Sequence, residues 1–222
     1  MSIAATFIFA GCVKDEQPTP EGPTPPPVQN YEDMVINELI TKDITDPYYL
    51  SGPAPGSGTD WVELYNNGTN SVDVAGMWIA DKPGNEAEYQ QIPDGHANVT
   101  TIAPHGFIVL IMGAKDEGGA DFPTSIIDDN VFINFGLSST NDSLVAVYTP
   151  EKVEVDISDN FNGLEDDKSF GRTVDAGLEW ATLATKTPGA PNDGSAPIAG
   201  TLVINEFMAS NDISFPGPQG DF

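Results

Sequence analysis

The chain is poor in the residues from which most active sites are built. Among 222 residues there is one cysteine, Cys12, so no disulfide can form within the chain and the fold rests on its core. The two histidines, His96 and His105, sit in the turn-like contexts "PDGHANV" and "APHGF". No Gly-x-Ser-x-Gly elbow accompanies them, so the base-plus-nucleophile pattern of a hydrolase is missing. There is no His-Glu-x-x-His and no cysteine pair to hold zinc. The glycine-rich "PAPGSGTD" has no lysine and opens no helix, which sets it apart from a phosphate-binding loop. Basic residues are scarce as well: 8 against 34 acids, a formal net charge of -26. A chain this acidic repels phosphate backbones and anionic lipid, which argues against nucleic acid as a partner. No apolar run reaches the about 20 residues that a membrane-spanning helix takes.

The opening stretch, "MSIAATFIFAGC", is a short apolar run closing on small residues and the lone cysteine. It reads as a secretory signal over residues 1–11. "FAGC" resembles a bacterial lipobox, which implies cleavage before Cys12 and its lipidation, although no Lys or Arg precedes it. Several acyl chains at about 0.8 kcal/mol per buried methylene anchor a protein stably. "VKDEQ" follows and resembles a Lys-acid-acid export signal, pointing to the outer membrane and cell surface. The proline-rich "QPTPEGPTPPPVQN" then has no large apolar side chain to bury, so residues 12–33 are expected to be a lipidated tether.

From Met34 onward, strand-sized apolar runs alternate with turn residues: "MVINELI", "DWVELYN", "SVDVAGMWIAD", "GFIVLIMG", "VFINFGL", "DSLVAVYT" and "VEVDIS". Gly (22) and Pro (19) are plentiful, and no helical period runs through the series, so the expectation is all-β, an antiparallel sandwich or barrel. Trp61, Leu64, Trp78, Phe107, Val109, Phe135, Leu144 and Val147 are the expected core. "VINEL", "DWVELYNNGTNSVDVAGMWIAD", "GFIVL", "FGLSSTNDSLVAVYTP", "SFGR", "EW" and "TPGAPN", in that order, resemble the lamin tail domain. The resemblance implies an immunoglobulin-like antiparallel β-sandwich over residues 34–193, of a kind found on bacterial surfaces or appended to hydrolases. A long insertion between Ile40 and Trp61 departs from the pattern. "VINEF" at Val203 repeats "VINEL" at Val35, so residues 194–200 are expected to be a linker and 201–222 the start of a second, truncated repeat.

One loop has the oxygen-rich chemistry of a Ca²⁺ site: "DISDNFNGLEDDKSFGR". With Gly163 at the sixth position, the first acid and the closing Glu of an EF-hand are missing. Asp156, Asp159, Asn160, Asn162, Asp166 and Asp167 remain as candidate ligands of a looser site, against a solvated acidic loop as the plainer reading. Asn37-Glu38 recurs as Asn205-Glu206, and the strand carboxylate is expected to hydrogen-bond neighbouring backbone. Asp142-Ser143-Leu144 resembles an O-glycosylation acceptor. Together these features predict a non-catalytic, lipid-anchored surface module with a protein or glycan partner. The alternatives are an accessory domain of a longer secreted hydrolase or nuclease, and a Ca²⁺-dependent adhesin.

Overall fold

A computed structural model describes residues 29–45, 58–114, 122–140 and 143–192. The chain is an all-β sandwich with two very short helical turns. In order, its strands are β1 (Met34–Asp43), β2 (Thr59–Asn66), β3 (Val72–Asp73), β4 (Trp78–Ala80), β5 (Gln90–Gln91), β6 (Thr101–Ile102) and β7 (Phe107–Met112). After these come β8 (Ser125–Ile127), β9 (Asn130–Ile133), β10 (Ala146–Tyr148), β11 (Glu154–Ile157), β12 (Ser169–Arg172) and β13 (Trp180–Thr182). Seven strands form one sheet in the order β13-β12-β1-β2-β7-β9-β8, four form another in the order β11-β10-β4-β5, and β3 pairs with β6. Every pairing is antiparallel except β7 with β9, which run parallel. That exception departs from the purely antiparallel expectation; β8 and β9 form their own tight hairpin before β9 joins β7.

The two-residue period of a strand sorts the side chains. Along β2, Val62 and Leu64 face the central core with Ile36 and Leu39 of β1, Leu110 and Met112 of β7, and Ile79 and Val147 from the facing sheet. Trp61 and Glu63 alternate with them, and both are fully buried as well. Something must therefore cover the outer face of the large sheet, and the stretch after β13 does so.

Of the eight residues expected in the core, Trp61, Leu64 and Val147 are fully buried, whereas Trp78, Phe107, Val109, Phe135 and Leu144 are only half-buried. Trp78 opens β4, with Lys152 stacked 4.8 Å over its ring and its indole N–H donating to the Pro150 carbonyl. "GFIVLIMG" is half-buried along its first half and buried along its second, rather than enclosed throughout. The folded body also takes in residues ahead of Met34. Tyr31 packs on the core, and Gln29 Oε1 accepts the Asp73 N–H. Cys12, the tether before residue 29 and the repeat at residues 201–222 lie outside the described residues.

Candidate functional site

Two polar assemblies stand out, and the first is set up by a bulge in β1. Ile36 pairs with Leu64 and Glu38 with Glu63, so two steps on β1 match one on β2. The extra residue, Asn37, thus joins Glu38 on the outer face, which is what a bulge does to side-chain direction. Glu38 and Glu63 sit directly opposite one another, each fully buried. Such groups must be satisfied by hydrogen bonds, and the closing stretch supplies them. Thr187 N–H donates to both Glu38 oxygens at 3.1 and 3.0 Å, and Gly189 N–H donates to Glu63 Oε2 at 2.6 Å. Asn37 Nδ2 bridges Glu63 Oε1 (3.1 Å) and Asp175 Oδ1 (3.0 Å). Asp175 Oδ1 also accepts the Asn192 N–H at 2.7 Å.

Asn192 fastens the end. Its Nδ2 donates to the carbonyls of Asn37 and Arg172, both at 2.9 Å. Thr187 Oγ1 lies 2.8 Å from both Glu38 Oε2 and Asn192 Oδ1, with one proton to give. Gly171 permits this close approach, since a Cβ there would stand 2.8 Å from the Asn37 carbonyl oxygen. Burial pushes Glu63 up to about 8, against the lowering effect of Asn37 and Gly189. Burial raises Glu38 too, opposed by the nearby Ser169 hydroxyl and by the hydrogen bonds from Thr187. These carboxyls are thus enclosed and committed to their own chain: the assembly is a clasp.

The second assembly is an open pocket at one end of the sheet. Its cavity of about 390 Å³ is lined by Thr41, Asp60, Asn134, Phe135 and the glycines 58, 113 and 136, with Lys42 at its side. Asp60 Oδ2 accepts the Leu137 N–H at 2.6 Å. Its other oxygen has no hydrogen-bond partner among the described residues. Burial lifts this carboxyl to about 7, with the Leu137 N–H pulling the other way. Lys42 is occupied by Asp166 at 2.8 Å. The walls are low because Gly113, at φ +57°, passes so close to Gly136 that a Cβ on it would stand 2.7 Å from the Gly136 Cα. A wider groove of about 740 Å³ runs elsewhere, between Tyr31 and the stretch that holds Pro150, Glu151 and Val153.

The six residues singled out for Ca²⁺ are dispersed among different partners. Asp156, on β11, receives Arg172 through both oxygens (3.0 and 2.8 Å) and the Ile36 N–H at 2.7 Å, tying the small sheet to the large one. Asp166 holds Lys42, while Asp167 accepts the N–H groups of Ile44 and Thr45, which hold its carboxyl below the usual range. Asn160 Oδ1 accepts the Asn162 N–H, and Asn162 Oδ1 accepts that of Ser143. Asp159 is exposed. No group of three or more His, Cys, Asp or Glu is placed to hold a metal ion among the described residues. His105, at φ +56°, faces the Tyr65 hydroxyl at 3.1 Å in the turn before β7, and His96 precedes a helical turn. Ser143 is buried and its hydroxyl donates to the Ser138 carbonyl, so it is not presented as a glycan acceptor.

Asn37 and Glu38 were visible in the sequence through their recurrence, and the backbone bonding expected of Glu38 is found. Asp60 and Asn192 lie in the quoted stretches "DWVELYN" and "TPGAPN" without being marked there as site residues, and Asn134 and Asp175 carried no pattern by which the residues alone could mark them. Comparison with protein-family models, curated proteins and solved structures returns no match.

Proposed function

We propose that the chain is a non-catalytic binding or positioning module, similar to a lamin tail domain, displayed on a bacterial surface from a lipid on Cys12. The observation that carries this reading is the clasp. The three fully buried carboxylates among the described residues, Glu38, Asp43 and Glu63, are spent on locking the domain's own closing stretch rather than on lining a cleft. The histidines are likewise occupied by turns instead of facing a nucleophile. The composition supports display: a proline-rich tether follows the cysteine, and a net charge of -26 keeps such a body soluble and off anionic surfaces.

The test is expression of the full chain in a Gram-negative host fed an alkyne-tagged fatty acid. The chain is expected to take up label, to fractionate with the outer membrane, and to be cut by protease added to intact cells. Cys12→Ser is expected to lose the label and the membrane association together. An unlabelled wild-type chain recovered in the soluble fraction refutes the proposal.

A further inference from the structure

We propose that the Asp60 pocket binds a neutral sugar unit of a glycan. This deepens, and rests on, the reading of the chain as a binding module. The argument starts from what the pocket offers. A sugar presents a ring of hydroxyls, each both donor and acceptor, and patches of C–H between them. The free Asp60 oxygen accepts hydroxyl protons, the Asn134 amide donates and accepts, and the Thr41 hydroxyl does either. None of the three side-chain groups facing the cavity has another partner among the described residues. Phe135, half-buried at the wall, supplies an apolar face for the C–H patches. The three glycines add no side chain to the wall, each turning its bare side to a neighbour: Gly58 to Lys42, Gly113 to Gly136 and Gly136 to Asp60.

Other ligand classes fit less well. An anion would meet the Asp60 carboxylate, and the neighbouring cation, Lys42, is already paired with Asp166. A hard cation would find one carboxylate where it needs several. A fully apolar ligand would strand the Asp60 and Asn134 groups without partners, which is costly. The volume, about 390 Å³, lies within the about 300–1,000 Å³ usual for small-molecule sites.

Asp60 is anchored by its other oxygen to the Leu137 N–H, so the free oxygen is held in place rather than swinging in solvent. That pre-organisation lowers the entropy lost on binding. It also makes Asp60→Asn a suitable probe: the Asn carbonyl can keep the Leu137 bond while the oxygen facing the pocket becomes an NH₂.

The experiment uses the full chain carrying Cys12→Ser, so that no lipid intervenes. Methyl glycosides of glucose, galactose, mannose and N-acetylglucosamine are titrated by saturation-transfer NMR and calorimetry. At least one is expected to bind saturably. Asp60→Asn and Asn134→Ala are each expected to weaken it by about tenfold, the scale of one lost hydrogen bond at a polar site. Glu151→Gln, in the other groove, is expected to leave binding unchanged. Should Asp60→Asn fail to fold, the exposed Asn134→Ala decides alone. Absence of saturable binding by all four glycosides overturns the proposal, as does binding that neither variant weakens. A failure here with fatty-acid labelling intact removes the sugar site and leaves the surface module standing. Sugar binding by a chain that is never lipidated does the reverse.

Discussion

The clasp makes folding stability depend on pH in a direction opposite to that of a salt-bridged carboxylate. Glu63 has an ordinary value of 4.5 and is pushed to about 8 in the fold. The folded state therefore holds its proton more tightly than the unfolded chain. Stability from this group is full below about 4.5, falls as pH climbs towards 8, and is flat above. The gap between 4.5 and about 8, at about 1.4 kcal/mol for each pH unit, amounts to about 5 kcal/mol. That is a large share of the about 5–15 kcal/mol that holds a typical domain together. Glu38 and Asp60 are raised as well and act in the same sense, whereas lowered Asp167 loses its contribution only in acid, as pH falls through its folded value. To isolate Glu63, urea unfolding of wild type and Glu63→Gln is compared at pH 5 and pH 8. The amide is permanently neutral but presents an NH₂ to one of two N–H donors, which costs a constant amount at both pH values. Repulsion among the acids away from the clasp is common to both proteins and cancels. Wild type is expected to lose at least about 2 kcal/mol more than the variant between the two pH values, allowing for relaxation of the site. A difference that stays within about 0.5 kcal/mol from pH 5 to pH 8, the error of additive comparisons, refutes the assignment of a buried, proton-holding Glu63.

Three further outcomes follow from named contacts. Asn192→Ala removes donors to two buried carbonyls and is expected to destabilise the domain by about 2–4 kcal/mol in urea melts, without changing the denaturant slope. Gly113→Ala combines a positive φ with a Cβ forced against Gly136, and an equivalent loss of about 2 kcal/mol or more is expected; an unchanged midpoint contradicts the close approach. Millimolar Ca²⁺ is expected to raise the melting temperature no more than Mg²⁺ does, because Asp156 and Asp167 are tied to Arg172 and to backbone; a Ca²⁺-specific rise restores the acidic loop as a site.

The strands were legible in the sequence where hydrophobic runs are bounded by turn residues. β3, β4, β7, β10 and β11 fall within runs that alternation or apolar length marks, and β1, β2 and β9 overlap such runs. β8 and β13 escaped notice because they are three-residue edge strands whose pairing is decided by neighbours far along the chain. The half-buried aromatics were harder still. Trp78 and Phe135 read as core by type, yet Trp78 is the first residue of β4 and Phe135 lies in the loop after β9. Asp156 shows what composition leaves out: six oxygen-bearing residues lie together in sequence, but β11 turns Asp156 to Arg172 across the corner of the sandwich. Charge density in a sequence says nothing of which carboxylate already has a partner.

The clasp also gives a physical reason for the repeated Asn-Glu. In β1 the bulge places Asn37 and Glu38 together on the outer face, and sheet neighbours satisfy them only in part, Asn37 Nδ2 donating to Glu63 on β2. Their remaining partners come from far along the chain: Thr187 donates to the Glu38 carboxylate, Asp175 and Ala176 meet the Asn37 amide, and Asn192 donates to the Asn37 carbonyl. An opening strand with this pair is therefore half of a device whose other half is a closing Thr…Asn stretch. The carboxylates lose their water only when the closing stretch covers them, and a donor missing at that point costs about 1–3 kcal/mol. Asn205-Glu206 repeats the opening half. Burying that second pair in the same way requires a closing stretch of its own or one lent by a neighbouring copy, since Thr187 and Asn192 are already engaged with Asn37 and Glu38.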